Sequence, residues 1–151
     1  VNTILEYAEA RKQGAISQLI VMGCLTQRYQ KELETEIHEV DAFFGANDLK
    51  SIASFLGAAN LGGAYHYRRK RSGGKHFAYL KVSEGCDRNC SFCAIPAIRG
   101  KHISVPIDLL VEEAAYLAKS GVKELILIAQ DLTYYGIDLY GERKLVELVD
   151  R

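Results

Sequence analysis

The chain has 151 residues, 48% of which are hydrophobic, and it carries 19 basic and 19 acidic side chains. This hydrophobic content supports a folded core and excludes a disordered chain, and the balanced charge gives no overall attraction to nucleic acid or to an anionic membrane. No apolar run approaches the roughly 18 residues of a membrane span, and no signal-peptide pattern begins the chain. We expect one domain or two small ones, and clustered free thiols indicate a reducing compartment, the cytoplasm.

The first third of the chain predicts a small α/β unit. Helical and strand-like patterns alternate in the order helix 1–13, strand 18–22, helix 27–36, strand 42–44 and helix 48–56. Such alternation indicates a parallel sheet, and because it opens on a helix, we expect a leading strand to precede it in a longer protein. Thr26 and Asn47 are the expected caps of the second and third helices. The third helix is expected to bury Leu49, Ile52, Ala53 and Leu56.

Residues 58–75 have the composition of a linker. Glycines punctuate the segment, and a basic run at 68–71 follows Tyr65 and Tyr67. A nucleic-acid contact assisted by the two tyrosines is one interpretation. We favour the simpler one, a solvated charge run in a connection between two domains.

Three of the four cysteines, Cys86, Cys90 and Cys93, fall in the spacing C-x-x-x-C-x-x-C, with Phe92 directly before the last. One turn can bring three thiols so spaced around one metal centre, whereas a disulfide framework would leave one over. A four-iron cluster normally takes four cysteines, so three leave one iron open to a substrate. A zinc site or three buried thiols is the alternative, although zinc would need a fourth ligand and no histidine has a zinc-like spacing from the trio.

The segments around this trio predict the opening of a (β/α) barrel, whose catalytic loops lie at the carboxyl ends of its strands. A strand at 77–82 runs directly into the cysteines, Pro106 opens a helix that ends at Gly121, and 123–129 is a continuous apolar strand with both faces covered. Gln130 and Asp131 follow that strand, where they either contact a cofactor or substrate or cap the next helix. The inner face of the helix is expected to contain Leu109, Leu110, Ala114, Leu117 and Ala118.

The remaining polar residues receive simple assignments. Arg99 meets either a carboxylate or solvent, and Glu112 and Glu113 are assigned to a solvated helix face. The histidines form no ligand spacing and are assigned to the surface; they are His38, His66, His76 and His102.

The cysteine trio, the linker and the segment 21–29 around Cys24 together resemble the radical S-adenosylmethionine (SAM) methylthiotransferases. The resemblance implies a fold that begins with the carboxyl-terminal part of an amino-terminal α/β domain (1–57). A linker (58–75) and the first part of a radical SAM (β/α) partial barrel (76–151) follow, so the chain is expected to be a middle portion of a longer protein. By itself, we expect it to be inactive.

The same resemblance implies two four-iron four-sulfur clusters and SAM as cofactors. Cys86, Cys90 and Cys93 would hold the radical-generating cluster, whose open iron binds SAM and gives a 5′-deoxyadenosyl radical. Cys24, with two cysteines from outside the chain, would hold the auxiliary cluster. Phe92, Gln130 and Asp131 are the candidate cofactor-binding residues, and a flavodoxin or ferredoxin type of protein is the expected electron donor.

Two segments, 79–86 and 128–141, resemble the branch of the family that modifies an aspartate of ribosomal protein S-twelve in the small ribosomal subunit. The other branch modifies an adenosine derivative in transfer RNA and tends to have asparagine where Asp131 stands. One residue departs from the family pattern, because Val105 replaces a usual arginine. A different radical SAM enzyme and a non-catalytic zinc module remain as further alternatives.

Overall fold

The computed structural model describes residues 1–58 and 74–151. The chain divides into two compact units, Val1–Leu61 and Gly62–Arg151, and each is described by itself. Most of the predicted linker, with its tyrosines, its basic run and His66, lies outside the described residues, and the three-part division stays a prediction. Within the part of the chain that is described, no helix has the length and apolar character needed to cross a membrane.

The first unit alternates helices and strands as the sequence predicts. Its elements are α1 (Asn2–Lys12), β1 (Ile20–Met22), α2 (Cys24–Glu36), β2 (Ala42–Phe44) and α3 (Leu49–Phe55). β1 and β2 pair in parallel, with Val21 opposite Phe43. A core of Ala8, Leu19, Leu33 and Ile37 packs under this pair.

Both predicted helix caps in the first unit are wrong. Gly23 takes the N-cap position of α2 with φ 132°, a conformation that glycine adopts easily, so the helix begins at Cys24. Thr26 therefore lies inside the first turn, where it is buried and its hydroxyl has no hydrogen-bond partner among the described residues. Asp48, and not Asn47, precedes α3 at its N-cap position.

The predicted burial in the first unit is correct only in part. Ile52 and Ala53 of α3 are buried, but Leu49 is 48% exposed and Leu56 is 58% exposed. These two leucines lie at the ends of a helix of only seven residues, beyond the part that the unit's core covers. Met22 is also half exposed, so β1 is less buried than its apolar sequence predicts.

The second unit is built on a strand–helix–strand crossover. Its elements are β3 (Phe77–Lys81), β4 (Ser83–Glu84), α4 (Ile95–Arg99), β5 (Ile103–Ser104), α5 (Ile107–Lys119), β6 (Glu124–Ile128), a 3₁₀ turn (Leu132–Tyr134), α6 (Ile137–Tyr140) and α7 (Leu145–Asp150). β3 and β6 pair in parallel from Phe77 opposite Glu124 to Lys81 opposite Ile128. The α/β class with parallel strands is confirmed, and the barrel arrangement stays a proposal.

The sequence does not predict the short antiparallel pair of β4 and β5, in which Ser83 lies opposite Ser104. Nor does it predict α4. β6 was expected to have both faces covered, but Glu124 and Ile128 are exposed and the three residues between them are half-buried.

The core of the second unit lies between the parallel strands and α5. It comprises Leu80, Val82, Ile107, Leu110, Tyr135 and Leu148. Leu110 and Leu117 of α5 are buried as predicted, whereas Leu109 is 45% exposed and Ala118 is exposed. Glu113, assigned to solvent, is buried, because it lies three residues after Leu110 and shares its helix face.

Candidate metal centre

The cysteine loop, residues 85–93, begins where β4 ends and is pressed against the chain that leads to β5. Gly85 has φ 76°, and a Cβ built there would lie 2.0 Å from the carbonyl oxygen of Lys101. The next residue, Cys86, donates its backbone N–H to the carbonyl oxygen of Gly100 at 3.1 Å. Only glycine permits this approach of two backbones, so Gly85 determines how the chain enters the loop.

The structure brings the three predicted cysteines to one cavity, and none of them forms a disulfide. Cys86 is buried, while Cys90 and Cys93 are exposed. The Sγ of Cys86 accepts the backbone N–H of Arg88 at 3.4 Å, and the N–H of Cys93 donates to the carbonyl oxygen of Cys90 at 3.1 Å. The cysteine cavity has a volume of about 470 Å³ and is lined by Cys86, Arg88, Cys90, Cys93, Ile95, Gln130 and Asp131.

The donor set suits an iron–sulfur cluster by its chemistry. Soft thiolates are the ligands that such clusters take, and three free thiols line one cavity. The described residues contain no group of three His, Cys, Asp or Glu side chains placed to hold one metal ion. The cavity is of the size that takes a small-molecule cofactor.

Charged and amide groups surround Glu84, at the end of β4. Its carboxylate accepts the side-chain amide of Gln130 at 2.8 Å, pairs with Lys81, and lies 3.6 Å from Nη1 of Arg99. Burial acts to raise the pKa of Glu84, but Lys81 and then Arg99 outweigh it, so the pKa is lowered and the carboxylate is favoured. Arg99 thus meets a carboxylate, the first of its two predicted alternatives.

Asp131 links the loop after β6 to the cysteine loop. Its Oδ1 accepts the N–H of Thr133 at 3.0 Å and the Thr133 hydroxyl at 2.6 Å, so Asp131 caps the 3₁₀ turn. Its Oδ2 accepts Nε of Arg88 at 2.9 Å, and the Arg88 guanidinium lies 5.2 Å from the centre of the Tyr134 ring. These Thr133 and Arg88 bonds lower the pKa of Asp131.

Of the predicted cofactor-binding residues, Gln130 and Asp131 line the cysteine cavity, and Phe92 is fully exposed and does not. Sequence reasoning did not select Arg88. The sequence signal that could have identified it is a basic residue between two of the cysteines together with an acidic residue, Asp131, after the next parallel strand.

His102 is not a surface residue. It lies directly before β5 with its ring buried, and Nε2 is 3.0 Å from the Ser104 hydroxyl. Its backbone N–H donates to Asp87 at 3.0 Å, and its ring packs edge-on against Tyr134 at 5.2 Å. Because side chains two apart on a strand share a face, the burial of Ser104 carries His102 inward as well. His38 and His76 are exposed, in line with their assignment.

Two further predicted positions lie outside the cysteine cavity. Cys24 is exposed in the first unit, where it is the first residue of α2, and its role as a cluster ligand stays a prediction. Val105, where the family usually has arginine, is half-buried against the core of the second unit. Its N–H donates to Val82 and its carbonyl accepts the Tyr135 hydroxyl at 2.8 Å.

Comparison with known proteins places the cysteine loop in a matched segment. Residues 80–150, most of the second unit, match the model of the Radical SAM superfamily. The chain is also similar, from end to end, to proteins named ribosomal protein uS12 methylthiotransferase RimO. Identity is 54% over 151 residues with the Porphyromonas gingivalis protein, covering 100% of this chain and 35% of that one.

Two other relatives give the same result. The Flavobacterium psychrophilum protein is 53% identical over 156 residues, covering 99% of this chain and 34% of the relative. The Bacteroides fragilis protein is 50% identical over 151 residues, covering 100% and 35%. The predicted methylthiotransferase resemblance is confirmed, and the chain spans about a third of the length of the curated relatives it matches. The match of residues 80–150 to the Radical SAM superfamily implies one four-iron four-sulfur cluster and SAM.

Proposed function

We propose that this chain belongs to an enzyme that adds a methylthio group to an aspartate of the small-subunit ribosomal protein S-twelve, uS12 in the names of its relatives. One observation carries the proposal. Three free cysteines line a single cavity beside the parallel strands, in a chain about half identical throughout to uS12 methylthiotransferases.

Cys86, Cys90 and Cys93 are the proposed ligands of the radical-generating cluster. When bound, the cluster and SAM supply an electron and a carbon-centred radical that removes a hydrogen from the substrate carbon. The chain provides the binding site for both. The N–H of Arg88 donates to the Cys86 sulfur and orients it, and the thiolate is the form in which cysteine binds a cluster.

Two polar residues line the cysteine cavity together with the thiols. Gln130 donates to Glu84, and Asp131 accepts bonds from Thr133 and Arg88. Gln130 is the proposed cofactor contact of the two, and a side chain held by such a bond loses less entropy on binding than a mobile one.

Cys24 is the proposed ligand of an auxiliary cluster, together with two cysteines from outside this chain. Its exposure after β1 supports the proposal, as does the methylthio chemistry in the relatives' names, which requires a second sulfur source. The proposed partners are uS12 or the small ribosomal subunit as substrate, and a flavodoxin or ferredoxin type of electron donor.

Deletion of the gene encoding this chain tests the substrate. Peptide mass spectrometry of ribosomal uS12 should show an unmodified aspartate in the deletion strain, and complementation with the wild-type gene should restore the methylthio group. Complementation with Cys86→Ala should fail, whereas Asp108→Asn, a change at an exposed residue of α5, should succeed. An unchanged methylthio-aspartate in the deletion strain would contradict the proposal, and loss of a methylthio-adenosine from transfer RNA would support the other branch.

Anaerobic reconstitution tests the cofactor separately. The wild-type protein should become brown and show a four-iron absorption band that Cys86→Ala lacks. Stoichiometric zinc, bound by the three cysteines in preference to iron, would favour the zinc module instead.

A further inference from the structure

Two loops of the second unit are joined by one ion pair beside the cysteine cavity. Arg88 lies in the cysteine loop, two residues after Cys86 and two before Cys90. Its Nε donates to Oδ2 of Asp131 at 2.9 Å, a contact between residues 43 positions apart. The pair is thus a charged contact between the cysteine loop, after β4, and the loop after β6.

The Asp131 side of the contact is held firmly. Its side chain is only 17% exposed, and the two bonds from Thr133 occupy Oδ1, which leaves Oδ2 directed at Arg88. A carboxylate oriented by two other hydrogen bonds loses little further freedom when it binds a guanidinium, so this pair is worth more than a free surface pair.

The Arg88 side is anchored as well. The guanidinium packs on Tyr134, and Tyr134 packs edge-on against the buried ring of His102. The backbone N–H of His102 in turn donates to Asp87, the neighbour of Arg88 in the cysteine loop. The contacts therefore connect Arg88, through Tyr134 and His102, back to the residue beside Cys86 in the same loop.

We propose that Asp131 is a positioning residue that, through Arg88, holds the cysteine loop in the shape that buries Cys86 and gathers the three thiols at one cavity. The proposal rests on the proposed function only where it concerns cluster binding, because the shape of the loop is a property of the chain without the cluster. It differs from a direct contact between Asp131 and SAM, because both carboxylate oxygens are already engaged by Thr133 and Arg88.

Site-resolved alkylation of the full chain with iodoacetamide, anaerobically and before iron is added, tests the loop shape. In the wild-type chain, Cys86 should react more slowly than the exposed Cys90 and Cys93. Arg88→Gln and Asp131→Asn should each raise the Cys86 rate about three- to tenfold, because loss of a well-oriented ion pair makes loop opening more frequent.

A charge exchange and a matched control make the assay specific. The double variant Arg88→Glu with Asp131→Arg should bring the Cys86 rate below that of either single variant, a rescue expected only of partners. The rescue should be partial, because an arginine at position 131 cannot accept the two bonds from Thr133. Asp108→Asn removes an exposed pair with Arg151 on the same unit, 3.0 Å long against 2.9 Å for the Arg88 pair, and should leave the Cys86 rate unchanged. Wild-type Cys86 rates in both single variants would overturn the proposal.

The iron-loaded protein distinguishes the two roles of Asp131. If Asp131 positions the loop, Asp131→Asn should release iron faster to a chelator, the charge exchange should restore retention, and the loaded fraction should still show a SAM-induced change in its electron paramagnetic resonance spectrum. If Asp131 contacts SAM, retention should be normal and the spectral change lost in both variants, which would overturn the proposal. Failure of the wild-type protein to take up iron would refute the proposed function alone, since alkylation still decides the loop.

Discussion

Replacement of Gly85 with alanine tests whether the close approach of two backbone segments shapes the cysteine loop. The added Cβ would lie 2.0 Å from the carbonyl oxygen of Lys101 and 2.7 Å from that of Gly100. Both atoms belong to the backbone, so no side-chain rotation can relieve the overlap, and the two segments must separate.

The expected loss of stability follows from two separate costs. An alanine at φ 76° costs about 1–2 kcal/mol of backbone strain, partly offset by about 0.4–1 kcal/mol from the stiffer unfolded chain. Separation of the segments also breaks the 3.1 Å bond from Cys86 N–H to Gly100, worth about 1 kcal/mol, and exposes Cys86. We expect Gly85→Ala to lower the free energy of opening by about 1–2.5 kcal/mol.

Gly141→Ala is the matched control. Gly141 has φ 74°, nearly the same as Gly85, but a Cβ there meets nothing within 4 Å. It should therefore cost only the strain, about 1 kcal/mol or less. Hydrogen exchange read by mass spectrometry on peptides from β4 and β5 measures the opening free energy of this part of the second unit.

Iron content after anaerobic reconstitution gives a second readout of the same change. Gly85→Ala should bind less iron than Gly141→Ala, because the Cys86 sulfur is displaced. Equal protection and equal iron in the two variants would refute the reasoning, since strain alone would then account for the effect of Gly85.

Three other changes test the packing of the second unit. Leu110→Ala should lower the free energy of unfolding in urea by about 2–5 kcal/mol, because Leu110 is 1% exposed in the core. Leu109→Ala, at a half-exposed position, should lower it by less than about 1 kcal/mol. Equal losses of stability would refute the observed helix face. Ser104→Ala should cost about 1–3 kcal/mol, because the buried hydroxyl accepts the N–H of Gly136 at 3.0 Å, and unchanged exchange at that amide would contradict this. Burial acts to raise the pKa of Asp138, but its bonds from Ser104 lower it on balance. The Asp138 carboxylate therefore stabilises the fold above about pH 4, and this stabilisation is lost as the pH falls through the lowered pKa. Asp138→Asn should make the free energy of unfolding less dependent on acid pH, and a pH profile identical to that of the wild type would rule this out.

Local pattern was sufficient for most elements of the chain. The apolar runs at β1, β2, β3 and β6 predicted strands, and the periodicity of α5 predicted a helix that buries Leu110 and Leu117. Cap and face details were less predictable. Thr26 was expected to cap a helix that in fact begins at Cys24, because Gly23 allows an earlier turn into the helix.

The burial of His102 had no local signal. Its ring packs against Tyr134 and its backbone N–H donates to Asp87, and both partners lie in other segments of the second unit. Glu113 is also buried, but its place on the helix face of Leu110 is a local signal. Whether a histidine is inside depends on which residues lie opposite it in the folded chain, and that pairing is non-local.

The sequence by itself determined the α/β class, the parallel pairing and the placement of three thiols in one loop. Hydrophobic periodicity and cysteine spacing are local properties of the chain, so they indicate these features whichever segments later pack together. Only the tertiary structure decided that Gly85 meets Lys101, that Asp131 reaches Arg88 and that Cys86 is buried while Cys90 and Cys93 are not. These features depend on contacts between segments that are distant in the chain. Such contacts stabilise the protein only after the strands have paired and brought their carboxyl ends together.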